Sequence, residues 1–488
     1  MEKIARVLST AVLILFALLF GFALLLGACR PAHLSYPAAF SAAVVIAAVY
    51  AMWQKKPRKR PSVWQRMGER KTEALLLSLC FVLNLAWALF FRLEPEVDYA
   101  TFWKTAVDLA AGEQPSLRAY VAMFPHILGY STFLSLVLRV FGTGPLVAPI
   151  TNVFLTTLSG FFLFRLTMHY RKRLHSAAFV LLAWSLFPSK LLYNTMVLSE
   201  PWYTCLILAV FWLCSEVELR SPKLGVTLLL GLAAGLLLRL VNAARPIAAV
   251  PIIALLIWVF LLRKGRDAAG RKTWWSFTAV LLAAYLLTGP LWTNYERRVL
   301  GEEPASIPGY SLYVGANTDS LGSYSEEDMD LLQHYRFDLE DGSAENAQQR
   351  MLRLSWERAK RLNFARLGPL LVFKLRTFLG NDEGGAYYSL GALSRQNYRL
   401  LAIYSNIWYY VLGILALWGT WRLFRFREQR TILLAPLYVI GLTMAHMLVE
   451  VAARYHYSVI PMLLLLAAFS FYKPTRTAEM SESEAKGS

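Results

Sequence analysis

Cysteine, charge and nucleotide-type signatures are all scarce in this sequence, and each shortage removes a class of function. The four cysteines, Cys29, Cys80, Cys205 and Cys214, fall inside or at the ends of apolar segments without metal-ligand spacing, so they read as packing residues. There is no Gly-rich phosphate loop with its Lys, no His-Glu-x-x-His pair and no nucleophile elbow, which disfavours nucleotide hydrolysis and soluble-type hydrolase chemistry. No internal repeat occurs, whereas a transporter would more often show inverted repeats with broken helices in both halves. Charged residues are only 17% of the 488 and hydrophobic residues 57%, with a mean hydropathy of +0.42. A chain that apolar, with repeated runs of ~20 residues, is a polytopic α-helical membrane protein.

The net charge of +18 comes from Lys and Arg gathered in short clusters between apolar runs, a topology signal and not nucleic-acid affinity. The expected crossings are 11–26, 36–53, 74–93, 145–167, 176–188, 201–219, 224–240, 247–262, 274–292, 403–418, 432–447 and 457–471. Between them lie "KKPRKRPSVWQRMGERK", "HYRKRLH", "RSPK", "RKGRDAAGRK", "WRLFRFREQR" and "KPTR", which the positive-inside rule makes cytoplasmic. "LLGAC", ending at Cys29, looks like a lipoprotein cleavage box, but a second apolar run follows at once, so an uncleaved first crossing is expected. Segment 125–142 is apolar too; treating it as a re-entrant or interfacial helix keeps every basic cluster on one side.

With that topology the unexplained polar residues converge on the outer face. Asp98 is expected to cap a short helix closed by Gly112, with Tyr99, Phe102, Trp103 and Ala106 on its inward face. In the large loop, "IPGYSLYVGANTDSLGSYSEEDMD" is expected to turn repeatedly, "SAENAQQRMLRLSWERAKRL" to form an amphipathic helix, and "LGPLLVFKLRTFLG" a helix returning to the interface. Arg245, Lys374 and Arg454 are cations kept on the outer side, suited to a lipid phosphate or pyrophosphate; the plainer readings are ordinary anionic head groups or pairing with Glu450. Asp98 and Glu200 are the matching acids, and a carboxylate at the depth of Glu200 is either functional or a helix cap. Glu94 and Glu96 read as ordinary loop charges. His126 and His456 suit proton shuttling, metal binding or simple interface hydrogen bonds, and Tyr455 an aromatic belt. "GLAAG" at 231–235 is a small-xxx-small helix contact.

The motifs "VDYATFWKTAVDLAAG", "MFPHILGYSTFLSLVLRVFG", "YNTMVLSEPWY", "GYSLYVGANTDSLGSY" and "RYHYSVIPMLLLL", in that order over 74–471, resemble the GT-C superfamily of polyprenyl-phosphate-dependent glycosyltransferases. The likeness is to its family 39-like bacterial members, related to protein mannosyltransferases and aminoarabinose transferases. It implies a sugar donor on a polyprenyl phosphate, with Asp98 as general base and Glu200 in the place of the second-loop acid. His126, Arg245, Lys374, Arg454 and Tyr455 are then the substrate-binding candidates. Many members carry two adjacent acids in the first loop, whereas Val97 and Tyr99 flank Asp98 here, which weakens the case for the one cofactor left open, a divalent metal.

The expected fold is an all-α polytopic membrane protein, a GT-C-type bundle of about twelve transmembrane helices with a mixed extracytoplasmic loop. Its parts are two N-terminal helices and a basic loop at 1–72, a catalytic module at 73–293 with first outer loop 94–144, a large outer loop at 294–400, C-terminal helices at 401–472, and a disordered cytoplasmic tail at 473–488. The expected partners are a polyprenyl-phosphate sugar donor, membrane lipids and an unknown acceptor, with no nucleic acid; both termini are expected in the cytoplasm and the active site outside it. A transporter or lipid-linked sugar flippase is the alternative, and a scaffold in a wall-synthesis complex the third reading.

Overall fold

The computed structural model describes residues 2–30, 35–55, 62–263, 268–389, 393–428 and 430–471. The expected tail at 473–488, and the parts of the basic loops at 56–61 and 264–267, lie outside the described residues. Among the described residues every regular element is helical. Eight helices are long and apolar enough to cross a membrane: Lys3–Ala28, Glu69–Phe90, Val147–Arg171, Glu200–Arg220, Leu224–Ala244, Ala269–Leu300, Arg395–Arg425 and Thr431–Leu448. The other four expected crossings are shorter helices. They are Tyr36–Met52, Leu174–Ser185, Ala249–Leu262, and Val459–Ala467 continued by the turn Ala468–Phe471.

Burial orders the bundle. Glu200–Arg220 is its axis, enclosed by Val147–Arg171 on one side and Leu224–Ala244 on another. Leu224–Ala244 lies against Ala268–Leu300 so closely that a Cβ at Gly235 would overlap the Leu281 carbonyl, so the small-residue spacing at 231–235 is a helix contact. The N-terminal pair is part of the same body, because the first helix packs on Arg395–Arg425 and on the turn Arg376–Gly380. At one end of the bundle the basic clusters meet: Arg430 donates to the Tyr170 carbonyl at 3.0 Å, and Glu218 accepts from Thr431.

The other end carries the loops that build the site. Helix Val97–Ala111 closes at Gly112, whose φ of 81° is the left-handed conformation expected of a helix-ending glycine. Phe102 and Ala106 point inward as expected, and Ser131 Oγ donates to the Phe102 carbonyl at 3.0 Å, fixing this helix to His126–Phe141. His126–Phe141, at 16 residues, is too short for a ~30 Å hydrocarbon core. It seats on the end of Leu224–Ala244, where a Cβ at Gly129 would overlap the Ala243 carbonyl.

The large loop folds into a cap of four helices, Gly309–Gly315, Glu326–Phe337, Ala344–Lys360 and Phe364–Leu375, the last continued by Arg376–Gly380. The expected amphipathic helix begins where Ser343 Oγ accepts from Asn346 N–H at 3.1 Å. The stretch read as repeated turns differs: Gly309–Gly315 is helical, because Tyr310 and Val314, four apart, are both buried and packing outweighs the low propensity of glycine. The cap is sewn to the bundle where Glu450 N–H donates to the Ser311 carbonyl at 2.8 Å and Val451 N–H to that of Gly322 at 2.9 Å.

Candidate functional site

Asp98 is not the helix cap expected. Glu96 holds the cap position and makes no side-chain capping bond, and Asp98 lies in the first turn. Val97 before it sits at φ 47°, a conformation that costs a β-branched residue ~1–3 kcal/mol. The Asp98 carboxylate accepts instead from Arg454 Nη2 at 2.5 Å. That arginine comes from the turn Ala453–His456, which follows the crossing helix Leu434–Leu448.

Glu200 is the first residue of its helix, fully buried, and followed by Pro201 where a missing N–H is harmless. Its Oε1 accepts from Arg245 Nη2 at 2.6 Å and lies 3.8 Å from Arg454 Nε. Arg245 is the residue that ends Leu224–Ala244, so its side chain leaves the membrane segment where helix His126–Phe141 packs. The two acids and two arginines thus form one chain, Asp98–Arg454–Glu200–Arg245. The Tyr455 ring lies under both guanidinium groups, at 4.8 Å from Arg245 and 5.7 Å from Arg454, which gives it a more specific place than an aromatic belt. Tyr99 and Tyr388 flank Arg454 at 5.9 and 5.4 Å.

These charges tune one another. Burial disfavours the Asp98 carboxylate, but Arg454 and, further off, Arg245 outweigh it and hold the group below the usual carboxylate range. Burial pushes the Tyr99 phenol up to about 12. Glu450, which feels the same two arginines and Lys374, is raised by burial to about 7.

Beside this chain opens a cavity of about 380 Å³, lined by Glu94, Glu96, Asp98, Met196, Tyr388 and Arg454 among others. Glu94 and Glu96, read as ordinary loop charges, therefore stand at its wall. His126 starts its helix within electrostatic reach of Asp98, Arg245 and Arg454, with its ring edge-on to Phe124. Lys374 does not join the arginines. Fully buried, it donates to the carbonyls of Gly315 at 2.9 Å and Met447 at 3.0 Å, fastening the cap to a crossing helix.

Three features were missed by sequence reasoning. Tyr388 lies in "EGGAYYS", which has no spacing signal. Glu450 reads in the sequence only as a partner for Arg245, Lys374 or Arg454, yet its side chain forms no hydrogen bond among the described residues. Asp382, fully buried, accepts from or shares a proton with His456 Nε2 at 2.9 Å, and so pins the turn that carries Arg454. Asp98 and Glu200, the acids placed to hold a divalent cation, are each paired with arginine, and no three His, Cys, Asp or Glu side chains form a ligand set among the described residues.

No family model and no curated protein sequence matches this chain. Among solved structures it is similar to the archaeal oligosaccharyltransferase AglB from Archaeoglobus fulgidus, in complex with an inhibitory peptide and a dolichol-phosphate. That match has a TM-score of 0.50 at 11% identity and covers 84% of this chain and 50% of AglB. ArnT from Cupriavidus metallidurans bound to undecaprenyl phosphate matches with a TM-score of 0.32 at 12% identity, over 79% of this chain and 77% of ArnT. The chain therefore spans about half the length of AglB. The likeness is one of fold, shared with the half of AglB that this chain spans.

Proposed function

We propose that this protein is a membrane glycosyltransferase that moves a sugar from a polyprenyl-phosphate donor to an acceptor outside the cytoplasm. The observation that carries this reading is the convergence of Arg245 and Arg454 with Asp98 and Glu200 beside one cavity, at the bundle end opposite the basic clusters. The dolichol-phosphate held by AglB, a protein of the same fold, supports the choice of donor. Phosphate esters suit paired guanidinium groups.

In this reading Asp98 takes the proton from the acceptor hydroxyl as its oxygen attacks the anomeric carbon. The bond from that carbon to the phosphate oxygen breaks on the opposite face, so the configuration inverts. Arg454 and Arg245 hold the charge that develops on the departing polyprenyl phosphate. Glu200 keeps Arg245 aimed at it, and Tyr455 supports both arginines from beneath.

The test compares cells with and without the protein by mass spectrometry of polyprenyl-phosphate sugars and envelope glycans. Loss of one glycan decoration with build-up of its lipid-linked donor is the expected result. Unchanged glycans with normal donor levels would overturn the reading, and an acceptor product that keeps the donor's configuration would overturn the inversion.

A further inference from the structure

The stretch 353–375 carries features that the transfer site does not use. Helix Phe364–Leu375 buries Leu370, Lys374 and Leu375 against the protein. Its exposed residues are Phe364, Ala365, Arg366, Pro369, Leu371 and Val372, apolar but for Arg366 in the first turn, with Phe364 89% exposed. Such a helix has no face for water except at its first turn. Its depth follows from its neighbours: Lys374 is bonded to Met447, in the last turn of a crossing helix, and Arg376–Gly380 packs against the end of the first crossing helix. On the preceding helix, Ala344–Lys360, Trp356 is 67% exposed with Lys360 at 5.8 Å from its ring. These are the marks of a segment lying at the edge of a bilayer.

Charge distinguishes this edge from the rest of the cap. Arg336, Arg350 and Arg358 are paired with Glu302, Asp341 and Asp328. Arg353, Lys360, Arg361 and Arg366 form no ion pair among the described residues. A cleft of about 320 Å³ opens at the turn between the two helices, where Arg361 and Arg366 face Tyr313 and Asn317. Asp319 and Glu357 line it too, and Arg358, the third arginine of its wall, is already held by Asp328, so Arg361 and Arg366 are the lining cations left without an ion pair. An unpaired cation pair at the mouth of a polar cleft, beside an apolar helix face, matches a molecule with an anionic phosphate and hydrocarbon tails.

We propose that this turn is a binding site for an anionic glycerophospholipid, with its phosphate between Arg361 and Arg366 and its acyl chains along Phe364 and Val372. A bound lipid would hold the cap at a fixed height over the bilayer. The proposal is independent of the transferase reading, since it uses none of the residues assigned to transfer.

The test is a lipid titration of the full-length protein in detergent, read by thermal unfolding and by native mass spectrometry. The probes are phosphatidylglycerol, phosphatidylcholine and soluble glycerol phosphate. Phosphatidylglycerol should stabilise the wild type and be retained, and the other two should not. Arg361→Gln/Arg366→Gln should weaken its binding ~30-fold, at ~1 kcal/mol for each basic residue near the headgroups. Arg361→Lys/Arg366→Lys should retain most of it, and Arg353→Gln, which lies outside the cleft, should bind as the wild type does. Equal effects of phosphatidylcholine, equal effects of glycerol phosphate, or unchanged phosphatidylglycerol binding by the double Gln variant would each overturn the proposal. Should the double Gln variant fail to fold, a double Lys variant that no longer distinguishes the two lipids would do the same.

Discussion

Asp98→Asn separates the chemistry of the site from its architecture, because the structure gives the two effects very different sizes. The Asp98 side chain is 45% exposed, so its ion pair with Arg454 is worth only ~1 kcal/mol or less to folding after solvent screening. Arg454 is not left without a counter-charge, since Glu200 Oε1 remains 3.8 Å from its Nε. At an effective dielectric of ~20 that contact corresponds to ~4 kcal/mol of attraction. The variant should therefore fold, reach the membrane at normal abundance and still bind undecaprenyl phosphate, with an affinity within ~5-fold of the wild type. Transfer should nevertheless fall ~10²- to 10⁴-fold, the usual contribution of a positioned general base. The assay pairs undecaprenyl phosphate binding by the purified protein with mass spectrometry of lipid-linked sugars and envelope glycans at matched abundance. Transfer retained within ~10-fold would refute the base assignment. Loss of lipid binding together with transfer would show that Asp98 positions Arg454 and does no proton chemistry.

Glu200→Gln should behave in the opposite way, destabilising the protein by ~3–5 kcal/mol because it leaves Arg245 buried without its carboxylate. Glu200→Gln/Arg245→Met should recover most of that loss in thermal unfolding, and equal losses in the single and double variants would refute the pairing. Arg454→Gln should weaken undecaprenyl phosphate binding ~10- to 100-fold, the worth of one charge-assisted hydrogen bond, and unchanged affinity in a direct binding assay would exclude it from the phosphate site. Glu450 keeps its proton to about pH 7 in the folded protein. The unfolded chain loses that proton near ~4.3, so the contribution of this group to stability should fall as pH rises between those values and level off above them. Glu450→Gln should flatten that slope in unfolding curves taken from about pH 5 to about pH 7.5, and superimposable wild-type and variant curves would refute it. Asp382→Ala should cost ~1–3 kcal/mol by orphaning His456 and should raise KM for the lipid donor as the Arg454 turn loosens. Asp382→Asn, which keeps an acceptor, should restore most of both; a variant set with altered stability but constant KM would limit the pair to a structural role.

Much of this arrangement is written locally in the sequence, and the part that is not depends on long-range contact. Apolar runs near 20 residues mark the crossings, and Gly112 ends its helix for a reason carried by one residue. Asp98 and Glu200 were visible because a carboxylate beside an apolar run is unusual. Arg245 and Arg454 were visible as outer cations, but which acid meets which arginine was not, since Arg454 is 356 positions from Asp98 and only packing of the last helices brings them together. Lys374 shows the converse limit. Its type and side suggested phosphate, but its ammonium satisfies two backbone carbonyls, and no sequence pattern encodes carbonyl acceptors. The stretch around Gly309–Gly315 was read as turns because propensity is local, whereas burial of Tyr310 against the Phe124 ring is not.

In the proposed transfer, the alternation of acids and arginines sets a condition on how the site works. Both guanidinium groups already face carboxylates, so a donor phosphodiester, with one negative charge, competes for them against Glu200 and Asp98 and gains little over water. As the glycosidic bond breaks, the leaving phosphate moves toward the dianion of a phosphate monoester, whose second pKa is ~6. Its attraction to Arg245 and Arg454 then grows. In the proposed mechanism Asp98 receives the acceptor proton over the same interval and loses its charge, which releases Arg454 from its 2.5 Å pair. The two changes reinforce each other: the arginine becomes available as the phosphate comes to need it. Interactions that strengthen only along the reaction lower its barrier without tightening the ground state. A pair of arginines left unneutralised would instead bind the donor tightly from the start and forfeit that advantage, which gives a physical reason for two acids to stand beside two arginines at a site proposed to take a phosphate.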